Sequence, residues 1–462
     1  MAARVAGEHL IGGEVNTRAP FAVGVNESPV TQNLDPLSMT GAATRTGRAT
    51  FGVAQGSGAG TKGLRAWQRN NGTDFLIARQ GTTFYNVSAL AWASIGIGGT
   101  SDAFFRAQPL LDVMAIVVDG LAPKKWDGTT FGALGGTPPA NAKYACVFVS
   151  KILLSGDPAN PQRVTGSATN NGEDYTAAND AFSITSQSGG GDKIRGLMAN
   201  RKVAVFMYRH RIEILSGTTI ADFSVQVLMQ RGLVSETGYV SAGEVCFFCS
   251  DEAIYMITGF RVTDLTTMKF RETYLAIPDK SKITLGLKRD LLIVCDYGSG
   301  KAYCCDFKRN KWATWADQYW EAMDTANDET LYGGPNASTT QIYALATGTL
   351  DGASAITAKW RTPNLGFGWM EAPKGLAATF VHAKPGIATV SETYYSNGSA
   401  IGSVNTLAFS ATGGDAWQRV AGQSSVQGQQ LAMEIQWTGV GTIYGWAMYA
   451  EIQVDRGDIP RE

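Results

Sequence analysis

The chain has 462 residues, of which 17% are charged, and its 39 lysines and arginines nearly balance its 40 aspartates and glutamates. This balance excludes a global basic field that would hold nucleic acid by bulk charge. Residues 1–9 contain no apolar core of a secretory signal, and no run approaches the roughly 20 apolar residues of a membrane span. We therefore expect a soluble protein, made in a cytosol, without membrane insertion.

Residues 1–60 lack strand periodicity and are rich in Gly, Ala, Thr, Asn and Pro. We predict that they form an extended arm that contributes contacts in an assembly, with a disordered tail as the alternative. The stretch 56–63, GSGAGTKG, resembles a phosphate-binding loop but lacks the G-K-[S/T] ending. We interpret it as a flexible linker.

Residues 61–350 repeat a unit of two apolar strands joined by a polar turn, roughly every 40 residues. Corresponding strands are expected to begin near residues 75, 113, 144, 203, 245, 291 and 331. A period of this length made of short strands is typical of β-propeller blades. Six blades fit best, to within one, with 330–345 closing the ring against an early strand. The polar stretch 156–191 predicts a long loop or an elaborated blade.

Residues 351–462 have a different sequence pattern from the repeated unit, because apolar and polar residues alternate there. One predicted stripe is Leu431, Met433, Ile435 and Trp437, and a second is Tyr444, Trp446, Met448, Ala450, Ile452 and Val454. Asn397-Gly398 predicts a tight hairpin turn. Half-buried antiparallel strands of this kind indicate a C-terminal β-sandwich-like domain. The predicted fold is therefore all-β: an arm, a propeller and a sandwich.

Cysteine and histidine give no clear chemical site. Cys246-x-x-Cys249 has redox or zinc spacing, but residues three apart on a strand point to opposite faces. We predict buried free thiols there, as for the adjacent Cys304 and Cys305, and no disulfide framework. The three histidines, His9, His210 and His382, lie in separate segments and are expected to be surface or turn residues. No metal or cofactor is predicted.

Aspartates stand at the predicted blade turns, namely Asp119, Asp127, Asp251, Asp290 and Asp306. Carboxylates could serve a glycoside hydrolase, but turn aspartates usually bond the nearby backbone. The aromatic residues Trp126, Tyr255, Tyr303 and Trp312 are expected to pack between blades. The basic cluster 308–311 is expected to be a solvated turn. No catalytic residues are predicted.

Two stretches resemble a known family. Lys125-Trp126-Asp127-Gly128-Thr129 looks like a blade ending of the tail-hub proteins of short-tailed bacteriophages, also called packaged-DNA stabilisation or tail nozzle proteins. The order of segments across 194–217, 227–235 and 253–257 is similar to the middle of those hubs. The resemblance covers about 60–320, and the 1–60 arm matches poorly.

The resemblance implies a structural virion protein. Such hubs form a ring, and for this chain we expect a homohexamer, below the portal and its adaptor ring. They retain packaged DNA, form its ejection channel in the virion tail, and carry fibres, spikes or a needle. They are assembled in the bacterial cytoplasm, and double-stranded DNA passes through them without specific contacts. Two alternatives remain: a propeller that binds or hydrolyses glycans through Asp127 and Trp126, and a cellular scaffolding propeller.

Overall fold

The computed structural model describes residues 2–7, 27–39, 41–54, 59–87, 92–100, 103–186, 191–266, 270–336, 341–365, 374–383, 389–408, 416–421 and 426–452. Nearly all regular structure in these ranges is β-strand. Their single α-helix is the short Arg271–Leu275, beside three 3-10 turns at Ala177–Asn179, Ile220–Asp222 and Lys280–Lys282. No helix among them is long and apolar enough to cross a membrane.

The propeller consists of antiparallel sheets of four strands, and each sheet runs from an inner to an outer strand. In that order, blade 1 comprises Thr61–Gln68, Asp74–Gln80, Thr83–Asn86 and Ala93–Ile97; blade 2 comprises Phe105–Leu110, Val113–Val118, Leu121–Trp126 and Phe131–Ala133. Blade 3 comprises Tyr144–Phe148, Lys151–Ser155, Arg163–Gly166 and Phe182–Thr185; blade 4 comprises Gly196–Ala199, Val203–Met207, Ile212–Ser216 and Ser224–Met229. Blade 5 comprises Tyr239–Ala242, Val245–Cys249, Ile254–Thr258 and Arg261–Asp264; blade 6 comprises Ile283–Lys288, Leu291–Asp296, Lys301–Asp306 and Lys311–Ala316.

Blade 7 closes the ring with strands from both ends of the repeat region. Its first three strands are Trp320–Thr325, Leu331–Pro335 and Ile342–Leu345, and its fourth is Arg48–Phe51 from the N-terminal region. The inner strand of blade 7 lies beside that of blade 1. The described residues thus form a seven-bladed propeller.

The propeller prediction is confirmed, but the best-fit count of six is one blade short. The reason is that residues 320–345 supply only three strands of the last blade, and the missing strand lies almost 300 residues earlier in the chain. The predicted closure of 330–345 against an early strand is observed. The long loop predicted within the polar stretch 156–191 is also observed, since blade 3 has a long connection between Arg163–Gly166 and Phe182–Thr185.

The second strands of the blades are buried on both faces because each blade is sandwiched between two neighbours. In blade 2, Met114, Ile116 and Val118 pack toward blade 1, whereas Ala115 and Val117 pack toward blade 3. Blades 4, 5 and 6 show the same two-sided burial. This is why these strands are continuous apolar runs rather than alternating ones.

The C-terminal strands form two sheets that share one core. Thr357–Arg361, Leu431–Thr438, Thr389–Ser396 and Ser399–Ala408 make one sheet. Lys374–Ala383, Ala416–Ala421, Gln427–Gly428 and Thr442–Ile452 belong to the other. Side chains of both sheets, Met433 and Trp437 from one and Trp446 and Met448 from the other, meet in the same cluster. The arrangement is a β-sandwich.

The sandwich strands follow the predicted pattern with one exception. Leu431, Met433, Ile435 and Trp437 are all buried, and Asn397 and Gly398 form a two-residue hairpin turn with φ of 47° and 86°. In the second stripe, Trp446, Met448 and Ala450 are buried but Tyr444 is not, because the pairing with Lys374–Ala383 shifts register near Ile443. Val454 and the side chain of Ile452 lie outside the described residues.

The described strands within the N-terminal 60 residues are divided between the two domains. Ala2–Gly7 and Ala42–Ala43 pair with Thr442–Ile452 of the sandwich. Thr31–Gln32 lies between Lys311–Ala316 of blade 6 and Thr357–Arg361 of the sandwich. Blade 6 and one sandwich sheet thereby become a single nine-stranded sheet. Two further strands, Leu350–Asp351 and Ser354–Ala355, extend the sheet of blade 7.

Candidate functional site

A cavity of about 200 Å³ lies at the centre of the propeller, between inner strands of the blades. Its wall carries charges of both signs. Lys62 of blade 1 pairs with Glu321 of blade 7 at 2.8 Å, and Arg65 lies 3.5 Å from Asp324 of the same strand. Burial raises the pKa of Asp324, although the Arg65 guanidinium opposes this shift. These pairs tie the inner strand of the first blade to that of the adjacent last blade, along the wall of the cavity.

Arg106, from the inner strand of blade 2, is held differently. Its guanidinium donates to the hydroxyl of Tyr239 at 3.2 Å and to the backbone carbonyl of Glu236 in blade 5. It also lies over the ring of Tyr144, 5.3 Å from the centroid. Burial would lower its pKa, but the surrounding tyrosines and Glu236 outweigh this effect and raise it. Arg106 therefore remains a cation and joins opposite sides of the cavity.

Sequence reasoning missed these cavity residues, because they come from inner strands far apart in the chain. A weak signal existed in that Lys62, Arg65 and Arg106 interrupt otherwise apolar or small-residue strands. Such interruptions are typical of strands that face a central channel. The charges are arranged as cross-links, and the described part of the chain contains no cluster of three metal-ligating side chains.

The turn aspartates have the structural roles that their positions indicate. Asp127 Oδ1 accepts hydrogen bonds from the backbone of Thr129 and Thr130, and these bonds lower its pKa. Asp306 is fully buried and accepts from the backbone of Lys308 and Arg309. The other three form ion pairs with neighbouring lysines or arginines: Asp119 with Lys143, Asp251 with Arg209, and Asp290 with Lys308. In the basic cluster 308–311, Lys308 and Arg309 thus pair with carboxylates, and Lys311 donates to the carbonyl oxygen of Ser38.

The blade aromatics pack between neighbouring blades. Trp126 is 4% exposed and its ring meets Phe75 of blade 1 edge-on at 6.4 Å. Trp312 is fully buried and stacks on Phe270 at 4.1 Å. Neither ring offers a free face to a sugar. Trp126 and Asp127 are the two residues considered for glycan binding. Trp126 therefore serves packing between blades, and Asp127 stabilises a turn.

All six cysteines are buried free thiols, and this confirms the prediction made for Cys246 and Cys249. Cys246 and Cys249 contribute to different clusters on the two faces of their strand. Burial raises the pKa of Cys246 to about 12, so its thiol remains protonated at neutral pH. Of the histidines, His210 lies in an exposed turn of blade 4, His382 lies beside Tyr444 in the sandwich, and His9 is outside the described residues.

The stretches that resemble tail hubs join blades to one another. Between two of these stretches, Asp222 accepts the backbone N–H groups of Thr218 and Thr219, and these hydrogen bonds lower its pKa to about 2. A Cβ at Gly232 would lie 2.1 Å from the carbonyl oxygen of Tyr208, so only glycine fits there. Leu233 is fully buried between blades 4 and 5.

Ser235 ends this connection. Its hydroxyl donates to the carbonyl oxygens of Ser281 and Ile283 at the start of blade 6, at 2.9 and 2.6 Å. The segment therefore carries the chain from blade 4 into blade 5 and fixes blade 5 against blade 6. The residues on which the resemblance depends serve to build the propeller wall.

No protein-family model and no curated protein matches the chain. Among solved structures it is similar to the WD40 domain of Pan2 from Neurospora crassa (TM-score 0.43, 10% identity, 66% of this chain and 95% of that one). It is also similar to BamB from Moraxella catarrhalis (TM-score 0.42, 10% identity, 74% and 97%). A third is the extracellular domain of a hybrid two-component system from B. thetaiotaomicron (TM-score 0.47, 5% identity), where 72% of this chain spans 42% of the other. These are likenesses of fold, and the chain is a β-propeller by its own seven sheets.

Proposed function

We propose that this protein is a structural subunit of a ring-shaped tail hub, or nozzle, of a short-tailed bacteriophage. In this proposal the ring is a homohexamer below the portal and adaptor, in the virion tail. It retains packaged DNA, forms the ejection channel, and provides a platform for fibres or spikes. The proposal originates in the resemblance of 120–130 and 194–257, and the chain acts in it without catalysis.

The observation that carries the proposal is the nine-stranded sheet. It links the inner strand of blade 6, through Thr31–Gln32, to Ser399–Ala408 at the far side of the sandwich. At the junction Gln32 pairs with Thr314 of blade 6, and Thr31 and Gln32 pair with Trp360 and Lys359 of the sandwich. Ladder hydrogen bonds across such a sheet resist hinge motion between the domains. A subunit that forms part of a pressurised wall needs this stiffness, whereas a propeller on a flexible linker does not.

The centre of the propeller supports a route for DNA between subunits. A cavity of about 200 Å³ that Arg106 of blade 2 spans to reach Tyr239 of blade 5 cannot admit a double helix, whose major groove alone is about 12 Å wide. If DNA passes this protein, it passes along the outside of each propeller, in a lumen that several copies enclose. The hypothesis therefore requires a ring.

The overall charge is compatible with such a lumen. Each phosphate that a protein neutralises adds salt-dependent adhesion, and DNA that must leave quickly should not adhere. The chain has a formal net charge of −1, and many of its blade-turn lysines and arginines are already paired with carboxylates.

Mass photometry tests the proposal. We expect the purified protein, alone or mixed with adaptor rings of the same phage, to form a species of about six times the 49.2 kDa chain mass. Negative-stain images of that species should show a ring with a central lumen. The WD40 domain of Pan2, another propeller, serves as the control and should remain apart from the adaptor. A chain that stays monomeric in both conditions would refute the proposal.

A further inference from the structure

Arg65, on the wall of the central cavity, has hydrogen-bond donors that the described residues do not satisfy. Its Nη1 lies 3.5 Å from Asp324 and its Nη2 lies 3.5 Å from Gln108, whereas N–H···O bonds are ordinarily about 2.9–3.0 Å long. Its Nε is buried and has no acceptor among the described residues. The side chain is nevertheless 27% exposed, so a small molecule in the cavity can reach its guanidinium.

Arg106 lines the same cavity and carries its charge without an ion pair. Its two hydrogen bonds go to uncharged oxygens, the hydroxyl of Tyr239 and the backbone carbonyl of Glu236. The Glu236 carboxylate helps to raise the pKa of Arg106 through space, but Glu236 is exposed, and no ion pair joins the two within the described ranges. The rings of Phe104 and Tyr144 lie 5.6 and 5.3 Å from the guanidinium carbon. Neutral groups thus hold this cation in place.

The carboxylates of the cavity wall do not neutralise these two arginines. Glu321 already pairs with Lys62 at 2.8 Å. Asp324 accepts the backbone N–H of Ala66 at 2.7 Å, and burial raises its pKa, so its charged form is disfavoured. Positive charge held away from bulk water without a close counter-ion is costly. An anion in the cavity would reduce this cost.

We propose that the central cavity binds a small anion that bears carboxylate or phosphate groups, with Arg65 and Arg106 as its principal contacts. The planar fork of a guanidinium matches the oxygens of either group. A volume of about 200 Å³ admits a small organic acid or a phosphate and excludes a macromolecule. The anion would join blade 1, which carries Arg65, to blade 2, which carries Arg106. The site is independent of ring formation, since both arginines belong to one chain.

Isothermal titration calorimetry at pH 7 tests this binding. The probes are succinate and inorganic phosphate, with chloride used to keep the ionic strength constant, and succinamide is the neutral counterpart of succinate. We expect saturable heat from at least one anion, with half-saturation at about 1 mM, the scale of two charge-assisted hydrogen bonds, and none from succinamide. The anion that saturates at the lower concentration identifies the ligand as a carboxylic acid or a phosphate.

Variants locate the binding. Arg65→Gln should weaken it about tenfold, and its contacts within the protein are long enough that the fold should survive their loss. Arg289→Gln is the matched control, because it removes the same charge from a side chain that is 71% exposed in a turn of blade 6, and it should leave binding unchanged. Should Arg65→Gln not fold, phenylglyoxal labelling of the wild type, read by mass spectrometry, replaces it. The bound anion should protect Arg65 and leave Arg289 reactive.

Three results would each overturn the proposal. Heat that does not saturate with either probe would indicate an adventitious ion only. Equal heat from succinate and succinamide would show that charge plays no part. Equal weakening by both variants, or no protection of Arg65 from phenylglyoxal, would place the anion elsewhere. Because calorimetry and labelling report on each chain whether or not copies assemble, failure here would not affect the ring hypothesis.

Discussion

At the scale of single residues, the most informative group is a carboxylate between the sandwich sheets. Glu392 is fully buried, and its Oε2 accepts hydrogen bonds from Thr379 of the facing sheet, at 2.7 Å, and from Tyr394. Its Oε1 has no partner among the described residues. Burial raises its pKa above the ordinary value of 4.5, although the two hydrogen bonds oppose the shift. The folded protein therefore favours the neutral acid.

This shift predicts a pH dependence of stability. The contribution of Glu392 is fully present below pH 4.5 and is lost as the pH rises through its folded pKa. Glu392→Gln keeps a neutral group of similar shape. We expect the variant to match the wild type below pH 4.5 and to be the more stable of the two at pH 8, because it has no carboxylate whose charge must be buried.

Urea unfolding at a series of pH values measures the difference between variant and wild type. Glu244→Gln, at an exposed position of blade 5, removes the same formal charge and controls for general charge effects. A Glu392→Gln variant whose relative stability does not change with pH would show that the carboxylate is not titrating against burial.

At the scale of elements, the closing strand Arg48–Phe51 decides whether the ring is complete. Arg48 lies over the rings of Trp320 and Tyr343, and the residue before it, Gly47, exchanges backbone hydrogen bonds with Thr347 and Gly348. A Cβ at Gly47 would lie 1.9 Å from the carbonyl oxygen of Leu350. Because this oxygen belongs to the backbone, it cannot move aside as the end of a flexible side chain could.

Gly47→Ala should therefore displace the closing strand from the sheet of blade 7. We expect the free energy of unfolding to fall by about 2 kcal/mol, the usual scale of overpacking. Gly132→Ala is the control, because Gly132 lies in the outer strand of blade 2 and its Cβ would meet nothing within 4 Å. Thermal unfolding followed by circular dichroism compares the two. Equal losses would mean that the contact with Leu350 does not constrain the strand.

The same strand shows where sequence-based prediction reached its limit. Second strands such as Val113–Val118 and Leu291–Asp296 were predictable because burial on both faces demands a continuous apolar run. In Arg48–Phe51 the two end residues are half-buried and the two middle ones are exposed, so its sequence carries neither that run nor an alternation. Thr31–Gln32 has only two residues and no pattern at all. The turn roles of Asp127 and Asp306 were predictable, because they depend on the next three residues.

The sites were less accessible to prediction than the fold, for a related reason. The central cavity joins Lys62 of blade 1 to Glu321 of blade 7. Residues so far apart become neighbours only when the ring closes on itself. Without the closing geometry, each of them appears as an ordinary strand or turn residue.

At the scale of the whole molecule, one asparagine connects the propeller to the sandwich. Asn33 adopts a left-handed conformation with φ of 55°. Its side chain donates to the carbonyl oxygen of Thr357 at 2.8 Å, and accepts from Arg45 and from the backbone N–H of Ala316 in blade 6. Trp315 of blade 6 and Trp437 of the sandwich add indole hydrogen bonds to Leu34 and Thr44 of the same segment.

These contacts predict that the two domains unfold together. Differential scanning calorimetry of the wild type should show one transition whose calorimetric and van't Hoff enthalpies agree. Asn33→Ala removes three hydrogen bonds at once and leaves the Ala316 N–H unsatisfied, so we expect a loss of about 3 kcal/mol and separate transitions for propeller and sandwich. Asn310→Ala, at another left-handed asparagine that accepts one bond from Trp312, should lower stability while preserving a single transition. Two resolved transitions in the wild type would show that the nine-stranded sheet does not couple the domains, and would remove the main support for a rigid hub subunit.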